Sequence, residues 1–171
     1  MTGVQTCALP ILELHHKDQK KLNNLIKELS KGNDEAQIFN ILRKRPKKEE
    51  KNWYDWNCSN WGVKWDANII DWEERDECIW ISFDTAWGAP IQLYEYLHDK
   101  GWTVEAYYHE PGMRFCGSFI NGEEDYYEYA DILEDYDELQ KIPEEIYEFA
   151  NLEYEHENHM EYLKEERENE E

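Results

Sequence analysis

Apolar residues recur along the chain at two periods, and the switches between them mark its elements. Leu22, Leu25, Ile26 and Leu29 fall at i, i+3, i+4 and i+7, one face of a helix. Asp18 stands where an N-cap carboxylate accepts from first-turn amides, and Gly32 where a left-handed stop belongs. The spacing predicts a helix over Asp18–Lys31, preceded by a strand ending in Leu12–His16. Residues 33–51 read as a connection with a weak helical patch, followed by a helical turn carrying Trp53, Trp56 and Asn60 and closed by Gly62. Period two then takes over. Cys78–Thr85 alternates cleanly through Ile79, Ile81 and Phe83, and Asn68–Glu74 less cleanly, with Ile70 and Trp72 expected on one face. The charged Glu74–Glu77 joins them as a hairpin. Pro90 opens a second helix with the stripe Leu93, Tyr94 and Leu97, and Gly101 ends it. Trp102, Val104, Ala106 and Tyr108 alternate inward along the next strand. Met113, Phe115, Gly117 and Phe119 return, and Asn121-Gly122 turns the chain into a strand over Asp125–Tyr129. Pro143 opens a further helix with Ile146, Phe149 and Ala150 on one face, then Met160 and Leu163, before a fraying end.

The order β-α-insert-β-β-α-β with an added hairpin is the ferredoxin-like split βαβ of the α+β class, an antiparallel sheet with two helices on one face. It implies a domain over 12–129, with 33–51 as an insert, and an acidic helical extension over 130–171. The ferredoxin likeness is topological only. Cys58, Cys78 and Cys116 cannot supply the usual four thiolates of an iron–sulfur cluster.

Residues 1–11, MTGVQTCALPI, resemble the translation of a common sequencing adapter. They read as an adapter-derived artefact and are set aside, Cys7 and Pro10 included. The gene is then entered near Leu12, without its true start.

NWYDWNCSNWGVKWDA (52–67), FDTAWGAP (83–90) and YYHEPGMRFCG (107–117) resemble the YubB ferredoxin-like family over roughly Leu12 to Tyr129. That family occurs on bacteriophages, conjugative plasmids and related mobile DNA. The resemblance implies a fold and a mobile-element setting. It supplies no activity, catalytic residue or ligand.

Charge adds what periodicity does not show. The 171 residues carry 40 acidic and 18 basic groups, a net of −22. Residues 1–65 hold 12 basic and 8 acidic groups, whereas 123–171 holds 3 basic and 21 acidic. Such a surface repels phosphates and attracts basic partners, so direct nucleic-acid binding is not expected and a basic protein partner is. RKRPKK (43–48) is either a nucleic-acid patch or an intramolecular partner for the acidic tail. No apolar run approaches the ~20 residues of a membrane span, and no signal peptide is apparent, which points to a cytoplasmic protein.

Eight Trp are the other unusual feature. Their spacing favours a core, yet the polar residues among them are more than a core requires. If a ligand site exists it lies there, on Trp53, Asp55, Asn57, Asn60, Trp61 and Lys64, with Asp66, Trp87 and Glu110 beside them. Asp55, Asp66, Asp84, His109, Glu110 and Arg114 are the groups able to do acid–base work, but no spacing brings two of them together. Glu153, His156 and His159 share a helix face without the further ligands and rigid frame of a zinc site. No metal or other cofactor is called for. Three functions remain: a non-enzymatic accessory or binding protein, an acidic inhibitor that mimics DNA, and an enzyme built on the Trp/Asn/Asp cluster.

Overall fold

The computed structural model describes residues 7–32 and 36–169. The first six residues of the adapter-like segment, the start of the 33–51 connection and the last two residues lie outside them. The strands are β1 (Cys7–Ala8), β2 (Ile11–His15), β3 (Asn68–Arg75), β4 (Cys78–Ala86), β5 (Thr103–Glu110), β6 (Phe115–Ile120) and β7 (Glu123–Glu128). The helices are α1 (Gln19–Leu29), α2 (Ile38–Leu42), α3 (Trp53–Asn60), α4 (Ile91–Asp99), α5 (Tyr136–Leu139), α6 (Glu144–Phe149) and α7 (Leu152–Asn169).

All strand pairs are antiparallel, and β1 and β2 together occupy one position in the order β3-β4-(β1/β2)-β5-β6-β7. The four strands β3, β4, β2 and β5 with α1 and α4 form the ferredoxin-like unit, and β6 and β7 extend its edge. Residues 7–11 are built into the sheet. Ala8 is fully buried opposite Thr85, Leu9 N–H donates to His109 O at 3.0 Å, and Phe83 N–H donates to Pro10 O at 3.2 Å. Pro10 has no N–H for the ladder, which is why this strand is broken in two.

The first core lies between the sheet and α1–α4. Leu12 and Leu14 (β2), Ile79, Ile81 and Phe83 (β4) and Val104 and Ala106 (β5) meet Leu22, Leu25 and Leu29 of α1 and Leu93, Tyr94 and Leu97 of α4. Asp18 caps α1 by accepting from Lys20 N–H at 3.0 Å. In β3 the face assignment differs from the expected one. A bulge between Ile69 and Asp71 makes Ile70 the extra residue, so Ile69 is buried, Ile70 is exposed and Trp72 still packs on the core. The turn places Met113 in solvent rather than on β6.

A second core covers the other face of the sheet. Alternation sends Tyr107 and Cys116 away from the first core, and they meet Tyr127, Tyr129, Leu133, Leu139, Ile142, Ile146, Ala150 and Leu152. The single helix expected after Pro143 is two helices, because Asn151 adopts a left-handed φ of 50° that ends α6 and restarts the chain as α7. Docking therefore runs from Tyr129 to Leu152. Beyond Leu152 only a narrow stripe of α7, Glu155, His156, His159 and Leu163, is half-buried.

Candidate ligand-binding surface

The WYDWN segment begins α3 and delivers its polar residues to opposite environments. Asn57 is buried and spent on structure. Its Oδ1 accepts from Arg45 Nη1 at 2.9 Å, and its Nδ2 donates to Lys64 O at 2.7 Å. Asn60 donates to Trp56 O at 2.9 Å. Trp61 is buried, edge-on to Phe39 and Trp56, and its indole N–H donates to Arg43 O at 3.0 Å. Arg43 Nη1 in turn donates to Asn60 O at 2.7 Å. Thus two arginines of the basic segment lace the connection onto α3, and Gly62, at φ 90°, reverses the chain where a bulkier residue would be strained.

Asp66 acts as a cap rather than a free acid. Its Oδ1 accepts from Phe39 N–H at 2.8 Å and Ala67 N–H at 2.9 Å, and its Oδ2 from Asn40 N–H at 2.9 Å. Burial pushes the carboxyl up to about 6, against these three donors, and nearby Glu28 adds to the rise. Glu110, at the end of β5, is buried and accepts from the Met113 N–H of its own turn. Among the described residues no hydrogen bond joins Glu110 to the other eight candidates.

Trp53, Lys64 and Trp87 do come together, on the surface, with Tyr54 and Trp65. Trp53, Tyr54, Trp65 and Trp87 are between 39% and 44% exposed, too open for a core. Tyr54 bridges edge-on between Trp53 and Trp87, at 5.9 and 6.3 Å between ring centres. Lys64 Nζ lies 4.6 Å from the Trp65 ring centre and 6.0 Å from that of Trp87. Trp87 has φ 72°, an uncommon conformation for so bulky a residue. Thr85 Oγ1 braces the turn by donating to Gly88 O at 2.6 Å. Asp55 is exposed on α3.

The remaining acid–base candidates scatter. Asp84 accepts from Asn68 Nδ2 at 3.2 Å. His109 lies on the same sheet face as Asp84 but beyond Leu9, about 10 Å away by strand spacing. It enters the second core, where Nε2 meets Tyr129 Oη at 2.7 Å, and burial pulls its imidazole down to about 4. The Arg114 carbonyl accepts from Tyr129 N–H at 2.9 Å. Glu153, His156 and His159 dock α7. Tyr136 donates to Glu153 at 3.4 Å, His156 Nδ1 donates to Leu133 O at 2.7 Å, and His159 faces Glu134 at 3.7 Å. Among the described residues no group of three or more His, Cys, Asp or Glu is placed to hold a metal. Burial raises the Cys116 thiol to about 12, leaving it protonated and inert at neutral pH.

A cavity of about 250 Å³ lies elsewhere, among α1, α2, α4 and the residue before β5. Its walls are Lys21, Asn24 and Leu25, then Ile41 and Leu42, then Tyr96, Lys100 and Trp102. The sequence pattern assigns Trp102 to the inward face of a strand and singles out neither Lys21 nor Lys100. The signal that could have found the cavity is a cation on α1 and a second cation, Lys100, between two aromatic residues, Tyr96 and Trp102, where α4 ends and β5 begins.

No family model, curated protein or solved structure matches the chain.

Proposed function

We propose that the protein is a non-enzymatic accessory or binding protein that meets a basic protein partner through its acidic C-terminal region. The observation that carries this reading is the second core. It mounts a net-negative segment rigidly on the sheet instead of leaving it as a loose tail. α7 then continues from Leu152 with Glu157, Glu161, Glu165 and Glu168 exposed at spacings of four, four and three, one helical face. Neighbouring carboxylates are thus about 6 Å apart along a fixed axis.

Charge density separates this reading from strict DNA mimicry. α7 holds seven Glu against Lys164 and Arg167 over 18 residues. That is one net charge per about 5 Å at 1.5 Å of rise per residue, against one per about 1.7 Å in duplex DNA. A basic protein surface matches the sparser array better than a groove shaped for phosphates does. Among the described residues no helix is long and apolar enough to cross a membrane, and Cys58, Cys78 and Cys116 are free. Free thiols suit the reducing cytoplasm, where we place the protein. The resemblance of residues 52–67, 83–90 and 107–117 to the YubB ferredoxin-like family supports a phage or plasmid setting.

The test compares proteins retained from a bacterial lysate by the parent chain and by a variant carrying Glu157→Gln, Glu161→Gln and Glu165→Gln. These substitutions remove charge while keeping shape and helix propensity. Loss of a basic protein from the variant, and its release by added salt, is the expected result. Unchanged retention by the variant would exclude α7 as the contact, and competition by duplex DNA would restore the mimic.

A further inference from the structure

The cavity among α1, α2 and α4 combines features that the acidic remainder of the molecule does not. Lys21 lines it from α1 and Lys100 from the turn after α4, and Tyr96 and Trp102 form aromatic walls. The cations sit against those rings: Lys100 Nζ is 5.4 Å from the Tyr96 ring centre, and Lys21 Nζ is 6.0 Å from that of Trp102. The Arg43 guanidinium lies over Tyr96 at 4.4 Å, its Nη1 held by the carbonyls of Asn60 and Gln92 at 2.7 and 3.3 Å. Among the described residues none of these three cations forms an ion pair with a carboxylate. Lys21, whose Nζ also meets His16 Nε2 at 3.0 Å, and Lys100 line the concavity, and Arg43 lies against its Tyr96 wall; in a chain of net charge −22 the three make a local positive field. At about 250 Å³ the cavity exceeds the roughly 150 Å³ that holds benzene but lies below the usual range of cofactor sites. Asn24, on the wall, offers both a donor and an acceptor for orientation.

We propose that this cavity is a binding site for a small planar organic anion of the aromatic carboxylate class. The ring lies between Tyr96 and Trp102, and the carboxylate lies between Lys21 and Lys100, where the field of Arg43 adds to theirs. A bare inorganic anion leaves the aromatic walls unused.

The experiment is a titration of the full chain, isotopically labelled, with benzoate, benzamide and acetate, followed by NMR at the Trp102 indole N–H and the Asn24 side-chain amide. Benzamide keeps the ring without the charge, and acetate keeps the charge without the ring. Benzoate is expected to shift both signals saturably and to bind at least about tenfold more tightly than either control. The double variant Lys21→Gln, Lys100→Gln is expected to lose at least about tenfold in benzoate affinity while melting like the parent. Equal binding of benzamide, or undiminished benzoate binding by the double variant, overturns the proposal. So does saturation confined to other residues, or no shift by about 20 mM benzoate.

Discussion

Ile146→Ala tests whether the acidic extension belongs to the folded domain or merely rests on it. Ile146 is 2% exposed in the second core, among Cys116, Tyr129, Leu139, Ile142 and Ala150. Truncating a buried Ile to Ala costs about 2–5 kcal/mol, part lost transfer energy and part cavity. The residues beneath it, Tyr107 and Cys116, sit in strands β5 and β6 whose opposite faces build the first core through Val104, Ala106 and Phe119. The two cores therefore share strands, and a loss in one is felt in the other. The assay uses an accident of composition: all eight Trp lie between residues 53 and 102, so tryptophan fluorescence reports only the ferredoxin-like unit. With a urea slope near 2 kcal/mol per molar, the midpoint read by Trp is expected to fall by about 1–2.5 M. An unchanged Trp midpoint with an earlier loss of helical circular dichroism would refute the coupling and make the extension a separate appendage.

Removing residues 1–11 takes Ala8 and Ile11 out of the slot between β4 and β5. It is expected to lower the melting temperature by at least about 5 °C, read by circular dichroism, whatever the origin of those residues. Tyr94 is fully buried with an unpartnered hydroxyl, so Tyr94→Phe should leave stability unchanged or raise it by up to about 2 kcal/mol in urea unfolding. For His109 the folded pKa, about 4, lies below its ordinary 6.5. The stability gained by keeping it neutral is complete above 6.5 and is lost as pH falls toward 4, by about 3 kcal/mol at most, and less for a half-buried ring. Asp66 has the opposite sign, its contribution being present below 3.8 and lost as pH rises through about 6. The stability difference between the parent and His109→Gln, measured by urea unfolding at pH 7 and pH 4, isolates the histidine: the parent should lose more on acidification.

The ferredoxin-like unit was legible because its elements carry clean periods and local stop signals. Leu22/Leu25/Leu29, Ile79/Ile81/Phe83 and Val104/Ala106/Tyr108 all face inward as their spacing requires. Asn121 and Gly122 adopt the positive φ values, 48° and 101°, that such a pair signals. The bulge at Ile70 was not legible, since one extra residue in a strand leaves no compositional trace. The second core was read only in part, at the Ile146 and Ala150 face. Its other apolar positions, Leu133, Leu139, Ile142 and Leu152, are spread over short helices and turns, and no single window joins them to that face. The Trp-rich segment was half legible. Its polar residues signalled something beyond a core, but Asn57, Asn60 and Asp66 are used to hold backbone, and only Trp53, Lys64 and Trp87 reach a common surface. Hydrogen-bond partners that lie 7 to 27 residues away are invisible to local pattern.

The extension's charge is compatible with its packing in part because six of its carboxylates stand where a helix favours them. Asp137 and Glu138 occupy the first turn of α5, Glu144 and Glu145 that of α6, and Glu153 and Glu155 that of α7, each at the positive end of the helix dipole. Along α7, Glu157, Glu161, Glu165, Glu166 and Glu168 face solvent and repel one another. Whether that repulsion is relieved internally decides how salt acts on the protein. Among the described residues no ion pair joins Arg43–Lys48 to residues 130–169; the ion pairs of the extension, Lys141–Glu138, His159–Glu134 and Lys164–Glu168, stay within it. Arg43 and Arg45 are instead turned into the helical layer, on the opposite side of the sheet. With repulsion uncompensated, raising the salt from ~0.01 M to ~0.15 M shortens the Debye length from about 30 to about 8 Å and screens the carboxylates of α7 from all but their nearest neighbours. The melting temperature is therefore expected to rise over that range, measured by circular dichroism with sodium chloride at fixed pH. A fall would mean that attraction between the basic segment and the extension dominates the folded state, and that the two charged faces are not separated.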